Sequence, residues 1–308
     1  MAFTHTPVML NAALEALRIV PSGRYIDGTF GRGGHCAGLL GRLNADGRVV
    51  AIDRDPGAIA FGREAFANEP RLELIHGGFA DLATLTQSHG PFDGVLLDLG
   101  VSSPQLDDAS RGFSFNKSGP LDMRMDTSRG ETAAAWLNRV DEKELANTLW
   151  QLGEEKFSRQ IARAIVTDRT AAPFERTEQL QALVARVVKR REPGKNPATR
   201  SFQALRIRIN DELGQLEAAL AGALEALKPG GRLVVISFHS LEDRAVKQFM
   251  RSHSQQPEAS RRQPLPAADL ILKLDRPDKA CFPDDAEVAG NPRARSAVLR
   301  AATRSASA

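Results

Sequence analysis

Cysteine is nearly absent from the chain: only Cys36 and Cys281 occur, far apart and outside any CxxC pair. That scarcity excludes a disulfide framework and a cysteine zinc site, and a reducing cytoplasmic compartment is expected. No apolar run reaches the roughly 18 residues of a membrane span, so no membrane association is expected. The amino-terminal residues lack the charged start, apolar run and cleavage site of a signal peptide. There is no GxSxG elbow and no P-loop. His35, His76 and His239 lie near strand ends, without the spacing of a histidine metal set, so no metal is expected.

The residues that are present suit a globular enzyme. Hydrophobic residues make up 42% of the 308-residue chain, enough for a sizeable core, and charged residues an ordinary 26%. The net charge is only +3, but it is unevenly placed. Residues 110–210 hold 19 Lys and Arg against 12 Asp and Glu, whereas the remainder holds 22 against 26. A basic middle in a mildly acidic frame is open to two readings, a polyanionic partner or a solvated helical surface.

The first hundred residues alternate strand and helix signals. Strands are predicted at Arg24–Asp27, Val49–Asp53, Leu72–His76 and Gly94–Asp98, with a helix from His35 to Leu43. Asp55-Pro56 reads as a helix start, with Asp as N-cap and Pro at the first helical position. Apolar strands separated by helices mean a parallel sheet covered on both faces. From Ser102 to Arg208 no strand is predicted; helices are expected at 131–139, 141–152, 155–168 and 177–191. Asp141 with Glu144 marks one start, and Thr177 as a cap marks another. The α/β pattern returns with a helix at Asp211–Leu227, a strand at Arg232–Phe238 and a helix at Ser240–Arg251. Ser240 and Asp243 look like its capping residues. Leu270–Leu274 and Ser296–Ala301 form a candidate antiparallel pair, and the polar, Pro-rich stretch 253–268 reads as a loop. The expected organisation is one discontinuous α/β domain, residues 1–105 and 211–308, with a helical insertion at 106–210.

A glycine-rich turn, Asp27-Gly28-Thr29-Phe30-Gly31-Arg32-Gly33-Gly34-His35, succeeds the first strand. Glycines there let a ligand approach the backbone. The spacing is GxxGxGG, not the GxGxxG of dinucleotide binders. Asp27 at the strand end is poorly placed beside a pyrophosphate but suits a ligand carrying an ammonium and a sulfonium. Asp53 ends the second strand, where a carboxylate accepts hydrogen bonds from ribose hydroxyls; with Asp55 as cap, Asp53 reads as free for that task. Together these residues favour S-adenosylmethionine over a nicotinamide cofactor. Phe79, just after the third strand, is open to two roles, packing on adenine or anchoring the next helix.

Asp98-Leu99-Gly100-Val101-Ser102-Ser103-Pro104-Gln105 leaves the fourth strand at the edge where open α/β sheets bind ligands. Ser103-Pro104 partly matches the D/S-P-P-aromatic run of amino-methyltransferases, or is an ordinary turn. The lone pair of an aromatic exocyclic amine is delocalised, so acceptors on its N–H groups are needed to aim it at the methyl. Asp98 and Ser103 are the candidates. No cysteine lies nearby for attack on a ring carbon.

These runs, with Gly112-Phe113-Ser114-Phe115, Gly119–Asp126, Asn196–Asn210, Lys228–Arg244, Asn291–Arg300 and His5-Thr6-Pro7-Val8-Met9, resemble the methyltransferase H family of small-subunit ribosomal RNA cytosine-N4 methyltransferases. The resemblance covers nearly the whole chain in order. It implies a class I, Rossmann-like methyltransferase domain with an inserted all-helical domain. It implies methylation of N4 of a decoding-centre cytosine in 16S rRNA, on the assembled small ribosomal subunit. By the same resemblance Gly33, Gly34, His35, Asp53, Phe79, Asp98 and Gln105 contact S-adenosyl-L-methionine, which gives Asp98 a second candidate role. Cys36 departs from the family pattern, where Ser or Thr is expected.

One further segment bears on RNA. Lys189, Arg190, Arg191, Lys195 and Arg200 set five cations against the single acid Glu192, and Pro193, Gly194 and Pro197 end the preceding helix. This turn is a candidate for phosphate contacts, with a solvated loop as the alternative. Two other functions compete with the methyltransferase reading: a nicotinamide-dependent oxidoreductase, which GxxGxGG and Asp27 oppose, and a non-catalytic RNA-binding protein, which the complete loop, Asp53 and Asp98 oppose.

Overall fold

The computed structural model describes residues 7–189, 196–255 and 272–306. In chain order these form α1 (Leu10–Ala16), β1 (Arg24–Asp27), α2 (Gly34–Leu40), β2 (Arg48–Asp53), α3 (Pro56–Ala65), β3 (Leu72–His76), α4 (Leu82–Thr86), β4 (Phe92–Asp98) and α5 (Ser103–Asp107). Then come α6 (Ala133–Arg139), α7 (Glu142–Gly153), α8 (Ser158–Asp168), α9 (Thr177–Val187), α10 (Thr199–Asn210), α11 (Glu212–Ala226), β5 (Leu227–Ser237), α12 (Ser240–Ser254), α13 (Asp285–Gly290) and β6 (Val298–Thr303). The chain divides into two compact units, Met1–Gly100 with Leu213–Ala308, and Val101–Glu212.

The first unit is built on one six-stranded sheet of order β3-β2-β1-β4-β5-β6. All neighbours are parallel except β5 and β6. Side chains alternate across it as a pleated strand requires. Tyr25, Val49, Ala51, Leu96, Val234 and Ile236 face a core shared with Leu14, Leu17, Cys36 and Leu39 from α1 and α2. Ile26, Val50, Ile52, Val95, Leu97 and Val235 face a second core with Leu82, Leu216, Leu220, Val246 and Met250 from α4, α11 and α12. Both faces are therefore apolar, which is why the strands read as near-continuous hydrophobic runs. Strand order reverses between β1 and β4, and ligands bind outside the carboxyl ends of strands at such a switch point. Asp27 and Asp98 are the last residues of those two strands.

The carboxyl-terminal pairing differs from expectation. β6 runs antiparallel along β5, from Arg232↔Thr303 to Ser237↔Val298. Leu274 makes only an isolated bridge to Arg304, and residues 270 and 271 lie outside the described residues. The free edge of β5 needed a partner for its backbone groups, and β6 brings Leu299, Ala301 and Ala302 into the two cores while providing it. No helix among the described residues is long and apolar enough to cross a membrane.

The second unit is helical around Trp136, Leu145, Leu149, Ile161, Ile165, Leu180, Val184, Phe202 and Leu205. Among its described residues the only β pairing is an isolated Pro120–Arg176 bridge. Asp141 caps α7 by accepting from the Glu144 N–H at 2.9 Å. Thr177 is not a cap: it is fully buried as the first residue of α9. Its hydroxyl donates to the Lys117 carbonyl (2.8 Å) and accepts from the Gly119 N–H (3.1 Å), tying a loop to the helix. The N-cap position is Arg176, whose N–H donates to the side-chain oxygen of Gln179, three residues on, at 2.8 Å. Helix α9 ends at Val187, short of the expected 191. Helix α10 has no counterpart among the expected helices; Asn210 at its end accepts from the Met125 N–H (2.8 Å) and donates to the Met123 carbonyl (2.7 Å).

Candidate active site

The glycine loop is held at both ends by backbone bonds to neighbouring strands. Gly28 N–H donates to the Leu96 carbonyl (2.9 Å) and Phe30 N–H to the Ile52 carbonyl (3.0 Å). Gly33 precedes α2 with φ +72°, a left-handed conformation that a side chain would strain. At Gly34 a Cβ would come within 2.2 Å of the Pro7 ring, so this position also requires glycine. The loop thus brings backbone close to whatever lies at the mouth of β1.

Asp53 closes the loop from the other side. Its Oδ2 accepts from the Gly31 N–H (2.7 Å) and its Oδ1 from the Asp55 N–H (2.8 Å). Asp55 caps α3 as expected, accepting from the Gly57 N–H at 2.9 Å. The cap does not leave Asp53 unengaged, however: both of its oxygens already hold backbone. Each carboxylate oxygen has a second lone pair, so ribose hydroxyls remain acceptable donors. Burial is the main cause that raises the Asp53 carboxyl to about 6, opposed by the two backbone bonds.

Two carboxylates stand at the switch point. Asp27 is buried; its Oδ1 accepts from the Thr29 N–H (3.1 Å) and its Oδ2 has no partner. Desolvation raises Asp27 to about 7, with the Asp53 charge adding to it. Asp98 Oδ1 is likewise buried and without a partner, though a quarter of the Asp98 side chain is exposed. Burial first, then the charges of Asp27 and Glu242, pushes its carboxyl well above the ordinary range. The Asp98 N–H donates to Thr29 Oγ1 (2.7 Å), which fixes the end of β4 to the glycine loop.

His35, in the first turn of α2, sits beside this pair. Its Nε2 lies 3.1 Å from the Val8 carbonyl, which can only accept, so Nε2 carries the proton. Burial lowers His35 to about 4, and the ring is neutral. Nδ1 then turns a lone pair toward Asp98 Oδ2 at 3.6 Å.

Sequence reasoning missed Glu242 and Thr29. Glu242 is buried; its Oε2 accepts from the Phe238 N–H (2.8 Å) and the His239 N–H (3.3 Å). His239 Nδ1 accepts in return from the Glu242 N–H at 3.4 Å. His239 and Glu242 therefore cap α12, not Ser240 and Asp243; Asp243 instead pairs bidentately with Arg300 at 2.7 and 3.0 Å. The available signal was an acid three residues after a capping position, obscured because histidine is an unusual cap.

Phe79 is half-buried and packs on the core that includes Leu82 and Leu97. Ser103 and Gln105 belong to the second unit. Ser103 opens α5, and the buried Gln105 folds back so that its side-chain oxygen accepts from the Ser102 N–H at 3.0 Å. Lys189 is exposed just past α9. Arg200 is half-buried in the first turn of α10 and donates to the Glu154 carbonyl at 3.4 Å. Arg190, Arg191 and Lys195 lie outside the described residues, as do Glu192, Pro193, Gly194 and most of 253–268.

Taken together, the switch point offers a glycine loop, a carboxylate ending β2, and two buried carboxylate oxygens with no donor. A pyrophosphate would be repelled here, whereas a nucleoside with two cationic groups supplies the missing charge. With the Rossmann-like sheet order, this defines an S-adenosyl-L-methionine-dependent methyltransferase. The family model described as the MraW methylase family matches residues 2–305, and the chain belongs to that family. It is 55% identical over 298 residues to a Stenotrophomonas maltophilia protein named "Ribosomal RNA small subunit methyltransferase H", covering 97% of this chain and 92% of that one. A Shewanella frigidimarina protein of the same name is 54% identical over 307 residues, covering 98% of each chain. Among solved structures, an rRNA methylase from Streptococcus thermophilus is similar with a TM-score of 0.44, at 11% identity over 99% of each chain.

Proposed function

We propose that this enzyme methylates 16S rRNA within the small ribosomal subunit, and that its acceptor is the exocyclic N4 of a decoding-centre cytosine. The rRNA assignment is supported by the printed names of the relatives. The observation that carries the chemistry is the pair of unpartnered buried oxygens, Asp27 Oδ2 and Asp98 Oδ1, at the switch point. The cytosine assignment is supported by the Asp98–Gln105 run, which carries no cysteine for attack on a ring carbon, and by the burial of Cys36 in the core. The cytoplasm is the compartment this substrate implies.

S-adenosylmethionine, when bound, supplies an electrophilic methyl on a sulfonium. The protein's own contribution is binding, orientation and charge. Gly33, Gly34, His35 and Gln105 would hold the cofactor, Asp53 would accept from its ribose hydroxyls, and Phe79 would offer an aromatic face to adenine. Asp98 is assigned to the cofactor and, through its second oxygen, to the target amine. Ser103 is assigned as the other acceptor on that amine. Acceptors on both N–H groups turn the nitrogen lone pair toward the methyl, so catalysis is positioning and electrostatics. The helical unit, with Lys189, Arg190, Arg191, Lys195 and Arg200, is assigned to RNA phosphates, which hold the strand while the cytosine leaves its stack.

The test is methyl transfer from labelled S-adenosylmethionine to isolated small subunits that lack the modification. Label should enter 16S rRNA with wild-type protein and not with Asp98→Ala. Label confined to protein, or to no acceptor at all, would overturn the substrate assignment.

A further inference from the structure

We propose a second RNA-phosphate site in the sheet-bearing unit, on the outer face of α12 and the adjoining segment 276–278. It rests on the RNA substrate proposed above. Helix α12 starts beside the carboxyl edge of the sheet and runs 15 residues, about 22 Å, away from it. Val246 and Met250 bury its inner face. Arg244, Lys247 and Arg251 stand exposed at spacings of three and four, which places them in one row on the outer face.

The row ends at a cavity of about 190 Å³, on the order of six waters in volume. Met250 and Pro277 give it apolar surface, and Lys247, Arg251, Arg276, Arg300 and Asp278 line the rest of its wall. The acids nearby are already neutralised. Asp278 pairs with the buried Arg232, and Asp243 is held bidentately by Arg300. Lys247 and Arg276 have no hydrogen-bond or ion-pair partner among the described residues, and Arg251 contacts only the Gln255 side chain at 3.1 Å. Cations gathered on a concavity whose one lining acid, Asp278, is already paired with Arg232 favour an anion there. A free phosphate ester would need the cavity alone. The row leading to it from the edge of the sheet matches a backbone that carries one charge per nucleotide, so the occupant is an RNA strand.

The experiment compares wild type with the triple variant Lys247→Gln, Arg251→Gln and Arg276→Gln, measuring affinity for isolated small subunits across a salt series. The dissociation constant should rise about 10- to 100-fold, and the log–log salt slope should fall by about two, because each phosphate contact contributes roughly 0.7 for a single strand. S-adenosylmethionine affinity should stay at the wild-type value, which also certifies the fold. The charge-conserving variant Lys247→Arg, Arg251→Lys and Arg276→Lys should retain most of the affinity. Wild-type affinity and slope in the glutamine variant would overturn this site alone. Failure of wild type itself to bind small subunits would overturn both this site and the substrate reading. Loss of inorganic phosphate binding with unchanged subunit affinity would assign the cavity to a small phosphate ester and overturn the RNA assignment.

Discussion

Asp53 has two tasks for one carboxylate. It shapes the glycine loop through the Gly31 and Asp55 N–H groups, and it is assigned to the ribose hydroxyls. Asp53→Ala is expected to weaken S-adenosylmethionine binding by about 10- to 100-fold, from lost charge-assisted bonds of roughly 1.5–3 kcal/mol. Calorimetry together with thermal melting checks this; unchanged affinity would remove Asp53 from the site. Asp98 and Ser103 are separable by kinetics. Asp98→Asn should raise the cofactor dissociation constant and lower kcat, whereas Ser103→Ala should lower kcat with cofactor affinity near wild type. Full activity in both variants would contradict the acceptor assignment. The carboxyls also set a pH dependence. Asp27 and Asp53 are raised to about 7 and about 6, so the cofactor-free fold favours their neutral forms. The stability they confer is fully present below the ordinary carboxylate pKa and is lost as pH rises through those values. A cationic ligand favours the ionised forms instead. S-adenosylmethionine affinity should therefore strengthen as pH rises from about 5 to 7.5, with protons released on binding. Calorimetry in buffers of different ionisation enthalpy measures that release, and a flat profile would count against it.

At the scale of elements, strand ends and the loop were legible because each left a local mark. Continuous apolar runs stop at Asp27, Asp53 and Asp98, and glycines punctuate the turns after Asp27 and Asp98. The Asp55-Pro56 start of α3 was equally plain. Helix α10 was not legible, because its buried Phe202, Leu205 and Ile207 are diluted by Arg200, Arg206 and Arg208 and read as part of a basic stretch. Its register becomes clear only from the helical core it packs into. The engagement of Asp53 by Gly31, 22 residues away, and the charge of Glu242 on Asp98 were also hidden. Both depend on which strands lie side by side. The basic turn after α9 carries its own expectation. Changing Lys189, Arg190 and Arg191 together to Ala should weaken small-subunit binding and flatten its salt dependence, with cofactor affinity unchanged. Wild-type affinity and slope would reduce this turn to a solvated surface.

On the scale of the whole molecule, one chain supplies two units with different chemistry. The sheet-bearing unit concentrates carboxylates at the carboxyl ends of its strands, as a cationic methyl donor requires. The helical unit carries most of the basic middle of the chain, as a polyanionic acceptor requires. A nicotinamide enzyme would need neither the unpartnered carboxylates nor that basic span, and a purely RNA-binding protein would have no use for the carboxylates. Mass mapping of 16S rRNA nucleosides, from cells with and without the gene and from small subunits treated with the purified enzyme, tests this account most directly. The account predicts N4-methylated cytidine at one decoding-centre position, lost without the gene and restored by wild-type enzyme but not by Asp98→Ala. An unchanged nucleoside map, or a methyl found on a ring carbon, would contradict it.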